Sequence, residues 1–421
     1  MGERSRRGGT ADRRAGPVSE LDDLVYDWNR DGRAATADYR AVELDDETLR
    51  DGLQGPSVRN PPLEVKLRLL HLMDQLGIDS ADIGLPGASP RARAEIVALA
   101  RETTKLRITP NVACRTHLAD INGAIQAAVE SGVAIETCAF IGSSPIRRVA
   151  ESWSIDTMRK QVEESVSLAV KNGLPVMFVT EDTTRADPET LVTLYETAIA
   201  AGAKRICASD TVGHATPEGV RNLLTFIRTE IIKGQAVKLD YHGHNDRGLG
   251  TINALAATAT ADRVHGTALG IGERVGNTSM DQLLVNLRLW GLIATDLEPL
   301  VEYTALVVEH CGATLPPNYP ALGADAFRTG TGVHAAAVVK ALRKGDRALA
   351  DRVYSGVPAS VVGREQRIEV GPMSGESNVV FWLEHRGIEA SRARIDRIMT
   401  AAKASDRLLA EEELNALARL D

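Results

Sequence analysis

The sequence predicts an α/β protein, a (β/α)₈ TIM barrel followed by a mainly helical C-terminal region. Short apolar, β-rich runs alternate with longer amphipathic stretches, which is typical of a parallel sheet wrapped by helices. Eight such pairs fit within about 250 residues, the usual size of this barrel. The chain has 421 residues, which leaves room for a further helical unit.

The predicted elements follow in chain order. The eight strand candidates are residues 41–44, 80–84, 107–113, 133–140, 175–180, 205–209, 237–242 and 263–269. A helical pattern follows each one, and the first helix is framed by Pro62 at its start and Gly77 at its end. We expect a flexible basic tail over residues 1–38, the barrel over 39–300 and helical C-terminal subdomains over 301–421, with no regulatory domain.

Composition and charge exclude several function classes. The formal net charge is -8, whereas nucleic-acid and membrane-surface partners call for a clustered basic face. The four cysteines form no C-x-x-C pair, which favours a reduced, cytoplasmic protein over a disulfide framework. No apolar run approaches the roughly 18 residues that span a bilayer. We therefore expect a small-molecule substrate.

Three polar motifs follow predicted strands one, seven and eight. They are T-L-R-D-G-L-Q at residues 48–54, H-G-H-N-D at 242–246 and G-I-G-E-R-V-G-N at 270–277. These strands are neighbours in a closed barrel, and barrel enzymes place their chemistry at the carboxyl ends of the strands. We therefore expect the three motifs to converge on one rim.

The converging motifs offer ligands for a metal ion. His242 and His244 stand two residues apart, so their side chains share one face of an extended strand end. Asp51 and Asn277 can complete the set and leave open positions for a substrate. The sequence thus predicts an open, catalytic metal site.

Each motif also has a purely structural interpretation. The two histidines could be a hydrogen-bonded pair, Arg50 and Asp51 could form a surface ion pair, and Asn277 could cap a helix over residues 279–290. Their joint occurrence on adjacent strand ends favours the metal site.

These motifs resemble those of the metal-dependent Claisen-condensing barrel enzymes, which include 2-isopropylmalate, homocitrate and citramalate synthases. The resemblance runs from about residue 43 to 380 and includes E-D-T-T-R at 181–185, D-T-V-G at 210–213 and G-V-H at 332–334. It implies that acetyl-CoA, as co-substrate, condenses with a 2-oxo acid and releases CoA. It also implies one divalent metal ion (Mg, Mn, Zn or Co) and a homodimer.

The resemblance implies a role for each matching residue. The metal ligands would be Asp51, His242, His244 and Asn277. Arg50 would stabilise the developing alkoxide, while Gln54 and Thr211 would bind the substrate. Glu181 would lie near the acyl donor.

His334 and Tyr354, from the helical region, would serve enolisation, often in the partner subunit's site. The spacing between Tyr354 and Pro358 departs from the commonest family pattern. His334 could instead be an ordinary helix-start histidine. Similarly, Thr211 could cap a helix near Pro217, and Glu181 could pair with Arg185.

The identity of the 2-oxo acid depends on the side chains that face its tail. Leu85, Cys138 and Phe140 favour a small apolar tail such as that of 2-oxoisovalerate, which would give 2-isopropylmalate in leucine biosynthesis. Arg115 could instead admit 2-oxoglutarate or oxaloacetate. A pocket discriminates one methylene by only about 1 to 3 kcal/mol, so homocitrate-, citramalate- and citrate-type synthases stay open.

The sequence leaves two other functions open. Leu53 stands where the synthases usually carry glutamate and where hydroxymethylglutaryl-CoA lyase carries leucine. The glycine loop at residues 270–277 lacks the lyase's cysteine, and the long region after the barrel favours a synthase. A non-catalytic metal-binding barrel is disfavoured because every expected ligand is present. Because the chain ends soon after residues 371–379, we expect no leucine feedback inhibition.

Overall fold

The computed structural model describes residue 21, residues 24–30 and residues 39–420. Most of the predicted flexible tail, residues 1–38, lies outside the described residues, and Trp28–Arg30 forms a short 3-10 turn. None of the helices in the described part is long and apolar enough to cross a membrane.

Eight parallel strands close into a barrel in chain order, which confirms the predicted fold class. They are β1 Glu43–Asp46, β2 Ser80–Asp82, β3 Thr109–Arg115, β4 Glu136–Gly142, β5 Val176–Glu181, β6 Arg205–Asp210, β7 Lys238–Gly243 and β8 Arg263–Gly266. The barrel closes where β1 pairs with β8, from Glu43 opposite Arg263 to Asp46 opposite Gly266.

All eight predicted strands exist, but several ends differ. The fourth strand begins at Glu136 rather than at residue 133, because residues 133–135 form the approach to the sheet. The eighth ends at Gly266 rather than at residue 269, because the chain turns there and Leu269 takes a φ of 54°. Apolar character continues past a strand end, so composition alone does not mark where pairing stops.

Helices surround the barrel and continue beyond it. Around the strands lie α1 Leu63–Gln75, α2 Pro90–Thr103, α3 Leu118–Ser131, α4 Pro145–Glu151, α5 Ile155–Lys171, α6 Pro188–Ala200, α7 Pro217–Phe226, α8 Gly250–Ala257 and α9 Met280–Leu289. Pro62 and Gly77 frame α1 as predicted, with Gly77 in the left-handed region at a φ of 74°. A π-helical turn, Ile227–Ile232, extends α7.

The base of the barrel interior contains a buried ionic network instead of apolar layers. Arg263 donates to Asp240 at 2.6 Å and to Glu136 at 2.8 Å. Arg205 donates to the other oxygen of Asp240 at 2.6 Å and to Glu43 at 2.7 Å. Removing one partner of such a buried pair would leave an uncompensated charge. We call this network the ionic floor of the barrel.

The region after the barrel is mainly helical, as predicted. Its elements are α10 Leu300–Cys311, β9 Arg328–Thr329, α11 Gly332–Arg343, α12 Arg347–Arg352, β10 Arg367–Ile368, α13 Glu376–His385, α14 Arg392–Ala404 and α15 Glu411–Arg419. α10 packs against the barrel, where the Tyr303 hydroxyl donates to the Asp46 carboxylate. The last three helices enclose a separate apolar core around Val379, Leu383 and Ile398.

Candidate metal centre

A cavity of about 360 Å³ opens at the carboxyl ends of the barrel strands. Most of the predicted site residues line it, namely Arg50, Asp51, Gln54, Leu85, Cys138, Phe140, Glu181, Thr211, His242 and His244. The strand ends therefore bring together residues that are far apart in the chain, as expected for this fold.

Three of the predicted metal ligands form a compact, buried group. The Nε2 atoms of His242 and His244 lie 3.6 and 3.7 Å from Oδ2 of Asp51. These distances are too long for good hydrogen bonds, yet one ligand atom from each residue lies within 4.8 Å of the other two. The arrangement suits ligands that surround a common ion.

Unpaired buried atoms support the same interpretation. Oδ1 of Asp51, Nδ1 of His244 and Oδ1 of Asn277 are buried and have no hydrogen-bond partner among the described residues. Buried polar atoms are ordinarily paired, and the lone pairs of these two oxygens remain available to a cation. Burial, together with the neighbouring His242, lowers the pKa of His244 to about 4, which keeps its imidazole in the neutral, ligating form. The residues therefore fit a divalent cation.

The structural alternative for Asn277 does not hold. Ser279, not Asn277, precedes α9, and it makes no side-chain cap. Asn277 instead bridges to His244 through the backbone and donates its side-chain amide to the Ile271 carbonyl at 3.1 Å. Because this hydrogen bond uses the amide nitrogen, the Asn277 Oδ1 atom is left without a hydrogen-bond partner among the described residues.

Arg50 and Asp51 are not a surface ion pair, because the Arg50 side chain is only 17% exposed. Each end of the guanidinium contacts a different carboxylate: Nε donates to Asp82 at 2.6 Å, Nη1 to Asp51 at 3.2 Å and Nη2 to Glu47. Arg50 is thereby fixed at the edge of the cavity with its charge retained.

The alternatives for Thr211 and Glu181 also do not hold. Thr216 caps α7, while the Thr211 hydroxyl accepts from the Asp182 amide at 2.8 Å. Arg185 pairs with Asp182 at 2.7 Å, not with Glu181. The Glu181 carboxylate accepts no hydrogen bond from any described residue, and burial raises its pKa.

Four predicted site residues do not line this cavity: Asn277, Arg115, His334 and Tyr354. Arg115 is 65% exposed and donates two hydrogen bonds to Asp120, at 2.8 and 2.9 Å, so its guanidinium is paired outside the cavity. β3 ends at Arg115, and the turn into α3 brings Asp120 to it. The rings of His334 and Tyr354 stack on each other at 4.1 Å, and neither lines the cavity.

Several other residues that line the cavity were not predicted from the sequence. They are Glu47, Asp82, Asn111, Ala113, Met177, Val179, Cys207, Ser209, His265, Glu273 and Arg274. Strand alternation carried backward from the predicted residues reaches some of them, since Val179 and Met177 precede Glu181 in steps of two. Glu47 and His265 belong to a second group of possible ligand atoms with His242.

Comparison with known proteins gives a consistent result. The HMGL-like family profile matches residues 41–307. A probable 2-isopropylmalate synthase of Methanopyrus kandleri is 33% identical over 86% of this chain and 69% of its own length. Homocitrate synthase AksA of the same organism is 32% identical over 87% of this chain and 89% of its own length.

A putative (R)-citramalate synthase CimA, also from Methanopyrus kandleri, is 31% identical over 90% of this chain and 72% of its own length. Among solved structures, the Bacillus subtilis HMG-CoA lyase aligns with a TM-score of 0.55 and 20% identity, covering 66% of this chain and 96% of that one. The lyase likeness shows the fold alone.

Proposed function

Because the chain belongs to the HMGL-like family, we propose that it is a metal-dependent acyltransferase that condenses acetyl-CoA with a 2-oxo acid and releases CoA. The 2-oxo acid is 2-oxoisovalerate and the product 2-isopropylmalate, which places the enzyme in cytoplasmic leucine biosynthesis. The observation that carries the proposal is the buried group of ligand atoms from Asp51, His242 and His244 at the edge of a cavity with an apolar wall.

Asp51, His242, His244 and Asn277 would hold the metal ion. When bound, a divalent ion would act as a Lewis acid on the ketone of the 2-oxo acid. Arg50, fixed by its carboxylate partners, presents positive charge where the alkoxide develops. Because the Thr211 oxygen already accepts from the Asp182 amide, its hydroxyl hydrogen is free to bind the substrate carboxylate.

Proton transfer needs a base near the acetyl methyl group. Glu181 suits this role because it lines the cavity, its carboxylate has no hydrogen-bond partner among the described residues and burial raises its pKa. Tyr354 is 51% exposed and, like His334, lies outside this chain's own cavity. We propose a homodimer in which these two rings complete the partner subunit's site.

The cavity wall favours an uncharged tail on the 2-oxo acid. Its apolar side chains are Leu85, Ala113, Cys138, Phe140, Met177, Val179 and Cys207. Arg274 reaches the cavity but is paired with Asp246 at 2.8 Å, and Arg115 is paired outside it. The second carboxylate of 2-oxoglutarate would therefore meet neither arginine as an unpaired cation, and its burial would cost free energy.

The test measures free CoA released from acetyl-CoA with a panel of 2-oxo acids, with Mg²⁺ or Mn²⁺ and with a chelator. We expect release that depends on 2-oxoisovalerate and disappears with chelator or in Asp51→Asn. Arg115→Ala is the matched control and should keep both rate and preference. Release with 2-oxoglutarate or pyruvate instead would assign a homocitrate or citramalate synthase.

Leu53 supports a second candidate function, a lyase that cleaves hydroxymethylglutaryl-CoA, and the same assay can test it. No CoA release with any acceptor, combined with cleavage of hydroxymethylglutaryl-CoA, would replace the synthase by the lyase. Metal binding without turnover of any acyl-CoA would leave only a non-catalytic barrel.

A further inference from the structure

We propose that Glu47 is a positioning residue, whose carboxylate holds both the metal ligand His242 and the cavity arginine Arg50. This inference rests on the proposed function of the site. Glu47 follows β1 directly, is 4% exposed and lines the cavity.

The contact with His242 determines which nitrogen of that ring faces the metal centre. Oε1 of Glu47 lies 3.1 Å from Nδ1 of His242. A hydrogen on Nδ1 directed at the carboxylate leaves the Nε2 lone pair for a metal, and Nε2 is the atom that faces Asp51. Carboxylates that bind the second nitrogen of a ligating histidine fix its tautomer and orientation.

The other oxygen of the same carboxylate holds Arg50. Oε2 of Glu47 accepts from Nη2 of Arg50, whose remaining nitrogens contact Asp51 and Asp82. One side chain thus couples the position of a metal ligand to the position of the cation that faces the substrate. Losing it removes one of three anchors of Arg50 and the Nδ1 partner of His242.

His265 holds Glu47 from below. Its Nδ1 lies 2.6 Å from Oε1 of Glu47, and its Nε2 lies 3.1 Å from Oδ2 of Asp240, within the ionic floor. Both ring nitrogens of His265 are therefore directed at carboxylates. For that reason we assign the group of Glu47, His242 and His265 to positioning rather than to a second metal site.

The experiment measures Mn²⁺ affinity by electron paramagnetic resonance titration, which needs no substrate. Glu47→Ala should bind Mn²⁺ about 10- to 100-fold more weakly than the wild type. Glu47→Gln keeps an acceptor oxygen and should lose less. The matched control is Asp46→Asn, an adjacent buried carboxylate on the opposite face of β1, which should keep wild-type affinity even if its melting temperature falls.

A histidine pair tests the location of the metal. His244→Ala should abolish Mn²⁺ binding, whereas His265→Gln should only weaken it. Wild-type affinity in both Glu47 variants, or equal abolition by the two histidine variants, would overturn the inference and leave the proposed function intact. A wild-type protein that binds no Mn²⁺ would overturn both.

Discussion

Tyr303 connects the first helix after the barrel to the strand that carries the T-L-R-D-G motif, and its replacement by phenylalanine should destabilise the protein in a pH-dependent way. The Tyr303 hydroxyl donates to Oδ2 of Asp46 and contacts the Thr48 hydroxyl at 3.1 Å. Burial raises the pKa of Asp46 from its ordinary value of 3.8 to about 6. Asp46 is therefore ionised at pH 8 and mostly protonated at pH 5.

The expected magnitude follows from the charge of the acceptor. At pH 8, Tyr303→Phe removes a hydrogen bond to a buried carboxylate and should lower the free energy of unfolding by about 2 to 3 kcal/mol. At pH 5 the acceptor is neutral, so the loss should be about 1 kcal/mol. The folded state also binds the Asp46 proton more tightly than the unfolded state does, because the pKa of Asp46 is raised on folding. The wild-type free energy of unfolding should therefore fall as the pH rises from about 4 through 6.

Urea unfolding at pH 5 and pH 8 measures both losses. Tyr195→Phe is the matched control, because the Tyr195 hydroxyl is also fully buried but contacts only neutral groups, the Thr180 hydroxyl at 2.6 Å and the Cys207 carbonyl at 2.9 Å. Its loss should be about 1 kcal/mol at both pH values. An equal loss at both pH values for Tyr303→Phe would refute the ionised Asp46 acceptor.

Three further predictions concern the site. Mn²⁺ at a hundredfold excess over its Kd should stabilise the wild type by about 2.7 kcal/mol in thermal unfolding, and Asp51→Asn should lose this gain while the surface control His71→Gln keeps it. Retained stabilisation in Asp51→Asn would remove this residue from the ligand set. Because 2-oxoisovalerate exceeds pyruvate by two CH₂ groups, its kcat/KM should be roughly 15-fold higher than that of pyruvate. Ala113→Leu should reduce this ratio of kcat/KM values by narrowing the cavity. An unchanged ratio would mean that the tail of the 2-oxo acid does not lie against Ala113. Mixing refolded Asp51→Asn with His334→Ala subunits should restore about a quarter of wild-type activity if the site is shared across a two-fold dimer, whereas no recovery would contradict a shared site.

Local pattern determined the architecture and much of the site. The alternation of β-rich and amphipathic runs predicted eight strand–helix units because strand and helix periodicities are local properties of the chain. The H-x-H spacing placed His242 and His244 on one face for the same reason, since strand side chains alternate with a period of two. Given a closed barrel, the neighbouring positions of β7, β8 and β1 brought Asp51 and Asn277 to these histidines.

Only the tertiary structure decided which hydrogen-bond partners the side chains at the carboxyl ends of the strands have. Strand alternation places Arg115 on the same face as Ala113, yet its long side chain turns back to Asp120 at the start of α3. Glu47 lies 195 residues from His242 and 218 from His265, and no local pattern connects them. Hydrogen-bond partners are selected by proximity and burial after the barrel closes. The sequence by itself therefore predicted Asp51, His242 and His244 at the candidate metal centre, and the fold determined which carboxylates contact them there.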